Sequence, residues 1–203
     1  MRKTSGPVSA VSACVLLLIL AGCAYKVQVQ GVRNLDLPAM EPTGTGILVE
    51  PGAHVASGEC PVSAEKMVGM VKELARQKGF RIVAREEDAD YIMRFDYESV
   101  GYEGRVRLQP TSGPATGFKT VSKGGPFDNR LWVRVLDARR GRGTDSSPVL
   151  WTGSAALQAA PTQGCRMAAL LLVAAFERFP METGGPVIRR MHVSDSRVSA
   201  LRK

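Results

Sequence analysis

Ala89-Asp90-Tyr91-Ile92-Met93-Arg94-Phe95-Asp96-Tyr97-Glu98 is the stretch whose reading decides the fold. Tyr91, Met93, Phe95 and Tyr97 fall on one parity, and Arg94, Asp96 and Glu98 on the other. Alternation with period two is the mark of a strand with one buried and one polar face. Such a strand belongs to a sheet covered on one side only, its other side solvated or met by something polar.

The neighbouring segments fit that sheet. Upstream, Ala64, Met67, Val68, Val71, Leu74 and Ala75 share one helical face, while Glu65, Lys66, Lys72, Glu73, Arg76 and Gln77 lie elsewhere. Ser63 stands at the N-cap position and Gly79 just past the C-terminus of this Ala64–Lys78 helix. Phe80–Ala84 reads as a strand and Arg85–Asp88 as a charged turn. Earlier still, Tyr25–Gln30 alternates like a half-buried strand, and Ile47-Leu48-Val49 is a short buried one stopped by Pro51-Gly52. Asn34–Gly46 and Ala53–Pro61 are loops.

Downstream, Val100–Asp128 is rich in Gly and Pro, and long for a structureless loop in a compact domain. It reads as a functional excursion, a disordered flap, or a stretch hiding an extra strand near Arg105–Leu108. Leu131–Asp137 and Val149–Leu157 form a strand pair joined by a basic connector, Arg139–Pro148. Thr162 caps a second helix that Pro180 stops. Its Met167–Phe176 portion is apolar on almost every side, which predicts a central core helix. Met181–Lys203 loses periodicity and gains arginines, so it reads as a basic, disordered tail. Strands grouped between helices predict an α+β domain, with a mainly antiparallel sheet of five to seven strands and two helices packed on one face.

The N-terminus supplies an address. Arg2 and Lys3 precede the apolar run Val11–Leu20, which is shorter than the roughly 20 residues a membrane span needs. Leu20-Ala21-Gly22-Cys23 follows as a small-residue cleavage site, completing a secretory signal. The motif resembles a bacterial lipobox, which implies cleavage between Gly22 and Cys23 and lipidation of Cys23 by diacylglycerol and an N-acyl chain. One acyl chain anchors only marginally, and several anchor firmly. Ala24 takes the place where an aspartate would imply retention at the inner membrane. The resemblance therefore implies an outer-membrane anchor facing the periplasm. Together with the pattern along the chain, it divides the sequence into residues 1–22 as signal, 23–46 as lipidated N-terminus, first strand and linker, 47–180 as the α+β domain with its 100–128 excursion, and 181–203 as basic tail. The net charge is +8, of which Arg2 and Lys3 supply two. In an exported chain this balance points to anionic surfaces or nothing specific, and nucleic acid is not an expected partner.

Of four cysteines, Cys14 leaves with the signal and Cys23 is the lipidation site. Cys60 and Cys165 remain, as a disulfide or as two buried thiols. A bridge would close a loop of about 100 residues, worth roughly 4–5 kcal/mol in the chain-entropy model. If each strand from Phe80 to Leu157 pairs antiparallel with the next and four lie between the helices, the helix N-termini fall at opposite ends of the sheet. An extra strand within Val100–Asp128 reverses that parity.

Further motifs extend the resemblance. Leu74–Phe80, Ala89–Phe95, Leu131–Asp137, Leu150-Trp151-Thr152-Gly153 and the Phe176/Phe179/Pro180 helix ending occur in an order similar to a family of bacterial cell-envelope lipoproteins whose domain has no assigned function. The resemblance implies an α/β periplasmic domain on a lipid anchor and carries over no catalytic residue.

Chemistry-bearing motifs are few. Ser63-Ala64-Glu65-Lys66 has the S-x-x-K spacing of penicillin-binding proteins, but the S-D-N and K-T-G partners are absent. Ser63 reads as an N-cap, and an envelope enzyme using Ser63 and Lys66 is the weaker alternative. Glu86, Glu87, Asp88 and Asp90 read as a solvated turn rather than a calcium loop. His54 and His192 are isolated and no thiol pair has zinc spacing, so no metal is expected. Tyr97, Tyr102, Arg105, Arg107, Phe118, Lys119, Lys123 and Phe127 interleave aromatic and basic groups, a candidate surface for a glycan, a headgroup or a protein. The favoured expectation is a non-catalytic interaction or assembly component with an envelope protein partner and no cofactor. The alternative of another class is a glycan- or small-ligand-binding module built on 100–128.

Overall fold

The computed structural model describes residues 24–56, 62–101, 106–110, 118–122, 127–140, 147–159 and 164–202, with backbone alone for 56, 100–101, 106–110, 118–122, 127 and 164–166. The elements in chain order are β1 (Ala24–Arg33), β2 (Gly46–Pro51), α1 (Ala53–Ala56), α2 (Ala64–Gln77), β3 (Arg81–Ile82), a 3-10 turn at Glu86–Asp88, β4 (Tyr91–Gly101), β5 (Val106–Pro110), β6 (Phe118–Ser122), β7 (Phe127–Asp137), β8 (Val149–Ala159), α3 (Gly164–Glu177), β9 (Val187–His192) and α4 (Ser196–Leu201). Seven strands form one sheet in the order β3-β2-β4-β7-β8-β1-β9, and β5 pairs only with β6.

The domain is α+β and its sheet is mixed. β4–β7, β7–β8, β8–β1 and β1–β9 are antiparallel, whereas β2 runs parallel to both β3 and β4. Pairing of each strand from Phe80 onward with the next therefore fails at its first step. Helix α2 carries the chain back along the sheet, so β3 restarts at the end where β2 began. Ser63 accepts from the Lys66 N–H at 3.3 Å to cap α2, and Gly79 ends it at φ 97°. Sequence placed the hidden strand of the excursion near Arg105–Leu108. The structure has two strands there, and they form a hairpin outside the main sheet.

Two boundaries change. Residues 24–33, read as a first strand ahead of the 47–180 domain, lie inside its sheet as β1, between β8 and β9. Residues 181–202 are not a disordered tail. β9 pairs with β1 over six residues, and α4 buries Val198 and Leu201. The physical reason is α3. Met167–Phe176 is at most 3% exposed at every position. A helix apolar all round needs cover on its outer side. The sheet lies beneath it, α2 lies against it, and α4 packs on it as well.

One aromatic stack fixes the end of α3 to the sheet. Trp151 and Phe179 rings are 4.7 Å apart, Phe179 and Phe176 5.4 Å, and Phe179 and Phe80 5.7 Å. The indole lies over Gly153, where an added Cβ would stand 2.0 Å from Trp151 Cη2. Gly31 is the cross-strand partner of Gly153, and its own Cβ would stand 2.8 Å from the Met181 carbonyl. The Trp151 indole N–H donates to that carbonyl at 3.2 Å. The Trp-x-Gly spacing is thus a glycine floor cut to the shape of a tryptophan.

Candidate functional site

The polar parity noted in β4 continues across the sheet. Among the described residues, the face opposite α2 and α3 is covered at one end, by a small cluster of Val83, Ala89, Ile92, Leu136 and Ala138 with Leu48 packed on it. The described residues leave the rest open, and register sets its rows. Arg94 stands beside Arg134, Thr152 and Val32; Asp96 beside Trp132, Ser154 and Gln30; Glu98 beside Arg130, Ala156, Gln28 and Ile188.

Trp132, half-buried, stands between two grooves on this face. The larger, about 540 Å³, runs over Gln28, Gln30, Arg130, Ser154 and Gln158 toward Lys26. The smaller, about 420 Å³, is bordered by His54, Arg94, Asp96, Arg134 and Val149. Trp132 Cα lies opposite Asp96 and Ser154, so its ring projects from the centre of the sheet.

The charges around it are unequally compensated. Arg94 pairs with Glu50 at 2.9 Å, and Arg130 approaches Asp128 at 3.5 Å. Arg134, directly opposite Arg94, has no ion-pair partner among the described residues. Asp96 is occupied structurally: its carboxylate accepts from the N–H groups of His54 (3.3 Å), Val55 (3.1 Å) and Tyr97 (3.0 Å), holding α1 at the sheet end. Gly52 allows this approach, since a Cβ there would lie 2.7 Å from Asp96 Cγ. The face offers an aromatic plane, guanidinium groups, amides and a hydroxyl. These suit recognition, with aromatics and arginine carrying most of the contact energy at protein interfaces.

Asp90 is a second polar centre, and its work is structural. One carboxylate oxygen accepts from the Gly46 N–H at 2.7 Å, and the other accepts from Arg139 Nε at 2.8 Å and from Arg139 Nη2. Burial opposes ionisation, yet the Gly46 N–H and the Arg139 guanidinium together hold the Asp90 carboxyl below its ordinary value. It ties the start of β2 to the turn after β7. Glu86–Asp88 form a single 3-10 turn, and among the described residues no group of three His, Cys, Asp or Glu is placed to hold a metal.

The remaining candidates from sequence fall into three groups. Ser63 is exposed and caps α2, with Lys66 contributing its backbone N–H to that cap. Tyr97 does not belong to a binding surface: it is 2% exposed on the helix-covered face, and its hydroxyl donates to the buried Asn129 Oδ1 at 2.7 Å. The parity of β4 sends it inward with Met93 and Phe95. Gly22, Cys23, Cys60, Tyr102 and Arg105, and the side chains of Arg107, Phe118, Lys119 and Cys165, lie outside the described residues. Sequence reading passed over Trp132. Its signal was a lone large aromatic on the polar parity of β7, between Arg130 and Arg134.

No family model and no curated protein matches the chain. Among solved structures it is similar to a DUF4136 family protein from Bacteroides thetaiotaomicron, at 17% identity over 74% of this chain and 92% of that one, with a TM-score of 0.43. It is similar to PelC of Paraburkholderia phytofirmans, described as a dodecamer, at 15% identity over 73% and 90%, with a TM-score of 0.40. It is also similar to a minor lipoprotein from Acinetobacter baumannii, at 16% identity over 66% and 84%, with a TM-score of 0.30.

Proposed function

We propose that this chain is a cell-envelope lipoprotein, anchored through acylated Cys23 at the periplasmic face of the outer membrane. It acts without catalysis, as an interaction or assembly component, and presents the open sheet face around Trp132 to an envelope protein. The observation that carries the reading is that face: Trp132 between two grooves, with Arg130 and Arg134 beside it and the polar groups of β1 and β8 along its floor. Tryptophan and arginine are the residue types that dominate interface energetics. The lipobox resemblance of Leu20–Cys23 supports the anchor.

A photoreactive amino acid in place of Gln30, in the acylated protein in its own envelope, tests this. One specific crosslinked protein is expected, and Trp132→Ala is expected to abolish the crosslink while leaving the thermal midpoint within a few degrees. No specific crosslink from this face, or turnover of a cell-wall substrate by the purified domain, refutes the reading.

A further inference from the structure

The chain has a definite end at which any group on Cys23 must sit. β1 begins at Ala24, one residue after Cys23, so no spacer separates the anchor from the sheet. β1 runs antiparallel to β8 and β9. The same end of the sheet therefore gathers the start of β1 and the ends of β8 and β9. β4 and β7 are antiparallel too, and Gly101 faces Phe127 at this end, where the β5–β6 hairpin departs with Arg107 and Lys119 in its strands. Helix α4 follows β9 from this end.

Basic groups collect on the outward side of this end. Lys26 stands directly opposite Arg190, both exposed, and neither has an ion-pair partner among the described residues. His192, exposed, faces Ala24. Of the other charges nearby, Arg189 is engaged with Glu177 at 3.6 Å, Arg197 with Asp195 at 2.8 Å and Arg130 with Asp128 at 3.5 Å, while Glu98 lies in the neighbouring row, opposite Arg130. Like charges directly opposite in a sheet are destabilising. An anion that sits over both reverses that effect. Beside them Ile188 is 69% exposed.

We propose that this end of the sheet, centred on Lys26 and Arg190, docks on the headgroups of an anionic phospholipid membrane. The proposal rests on the anchorage reading above. Lys26 is three residues from Cys23, at most about 10 Å of chain. That is close to the Debye length of about 8 Å within which a charged membrane surface attracts basic groups. The acyl chains and the basic pair are then two signals of one attachment, the pair setting the orientation that the acyl chains leave free.

Two measurements test it in parallel. Mass analysis of the envelope-extracted protein reads the acyl groups on Cys23. Co-sedimentation reads the surface: the chain from residue 23 with Cys23→Ser, which retains every described strand and helix, is mixed with vesicles of 30% phosphatidylglycerol in phosphatidylcholine, or of phosphatidylcholine alone. Binding to the anionic vesicles only is expected, falling as salt is raised. Lys26→Gln with Arg190→Gln is expected to weaken it about 25-fold, at about fivefold per basic side chain. Arg33→Gln with Arg85→Gln removes the same charge at the opposite end and is expected to weaken it far less. Equal binding to both vesicles, equal loss in both double variants, or binding to an acidic protein with none to vesicles overturns the surface. Absence of acyl mass on Cys23 overturns the anchorage, and with it the reason for placing this end on a membrane.

Discussion

Gly153→Ala tests the tightest piece of packing in the domain. An alanine Cβ at 153 would lie 2.0, 2.6 and 2.8 Å from three atoms of the Trp151 ring, against about 3.5–4.0 Å for an ordinary carbon contact. The ring must retreat by more than about 1 Å to restore an ordinary contact. Phe179 is 4.7 Å from it, and the Met181 carbonyl holds its N–H at 3.2 Å. Overpacking costs about 1–3 kcal/mol. Misplacing the donor of a residue only 1% exposed costs about 1–3 kcal/mol more. Against this, alanine gains about 0.5–1 kcal/mol over glycine in a strand. The net expectation is a loss of about 2–4 kcal/mol. Urea unfolding followed by far-ultraviolet circular dichroism reads it as a midpoint lowered by about 1–2 M at unchanged slope. The decisive arm is the Trp151→Leu background. With the indole gone, Gly153→Ala is expected to change sign and stabilise by up to about 1 kcal/mol. A loss under about 1 kcal/mol in the parent, or an equal loss in both backgrounds, refutes the argument.

Leu201→Ala is expected to cost about 2 kcal/mol by the same denaturation assay, because Leu201 is 7% exposed in α4; a change within about 0.5 kcal/mol would return residues 181–203 to a loose tail. Asp90 has a folded-state carboxyl below its ordinary value, so its contribution is present above about pH 4 and lost as pH falls through the depressed value. Asp90→Asn is expected to lower stability at pH 7 and to flatten the acid side of the stability–pH curve; an unchanged acid limb would show that Asp90 is not the group responsible. β2 and β8 run in the same direction and α2 returns antiparallel to β2, so α2 and α3 start at one end of the sheet. Cys60 precedes one start and Cys165 lies in the other. Thiol alkylation of the protein, isolated from its own cells without reductant and denatured, is accordingly expected to find both oxidised, and two alkylated cysteines would refute the bridge.

What sequence made legible was local. β4 declared both its faces, α2 carried its own caps, and α3 advertised a core position by having no polar side. Each of these rests on periodicity or on a capping residue within one element. What it obscured depends on partners far along the chain. The parallel β3–β2–β4 edge follows from where α2 deposits a strand of two residues, too short to show a period. β9 hides its inward parity because Arg189, half-buried and paired with Glu177 at 3.6 Å, shares it with Val187 and Met191. The demand for α4 was nevertheless present in α3: a helix apolar all round implies cover that two helices and a half-covered sheet do not supply. Tyr97 and Trp132 exchange roles for one reason. Aromatic character marked Tyr97 as a surface candidate, whereas strand parity, applied without exception, buries Tyr97 and leaves Trp132 on the open face.

Strand parity also separates a structural from a functional role for the basic end. Two pairs of like charges stand opposite each other on the open face: Arg94 with Arg134, and Lys26 with Arg190. Glu50 relieves the first pair by binding Arg94 at 2.9 Å, and the second has no such relief among the described residues. A direct like-charge pair costs a few tenths of a kcal/mol to about 1 kcal/mol, less in salt because both groups are exposed. Replacing Lys26 and Arg190 by glutamine should therefore leave the free domain as stable as before or slightly more stable, with the gain shrinking as salt rises. If instead the double variant loses more than about 1 kcal/mol in urea, the two side chains hold β9 to β1, and their conjunction beside Cys23 needs no membrane to explain it.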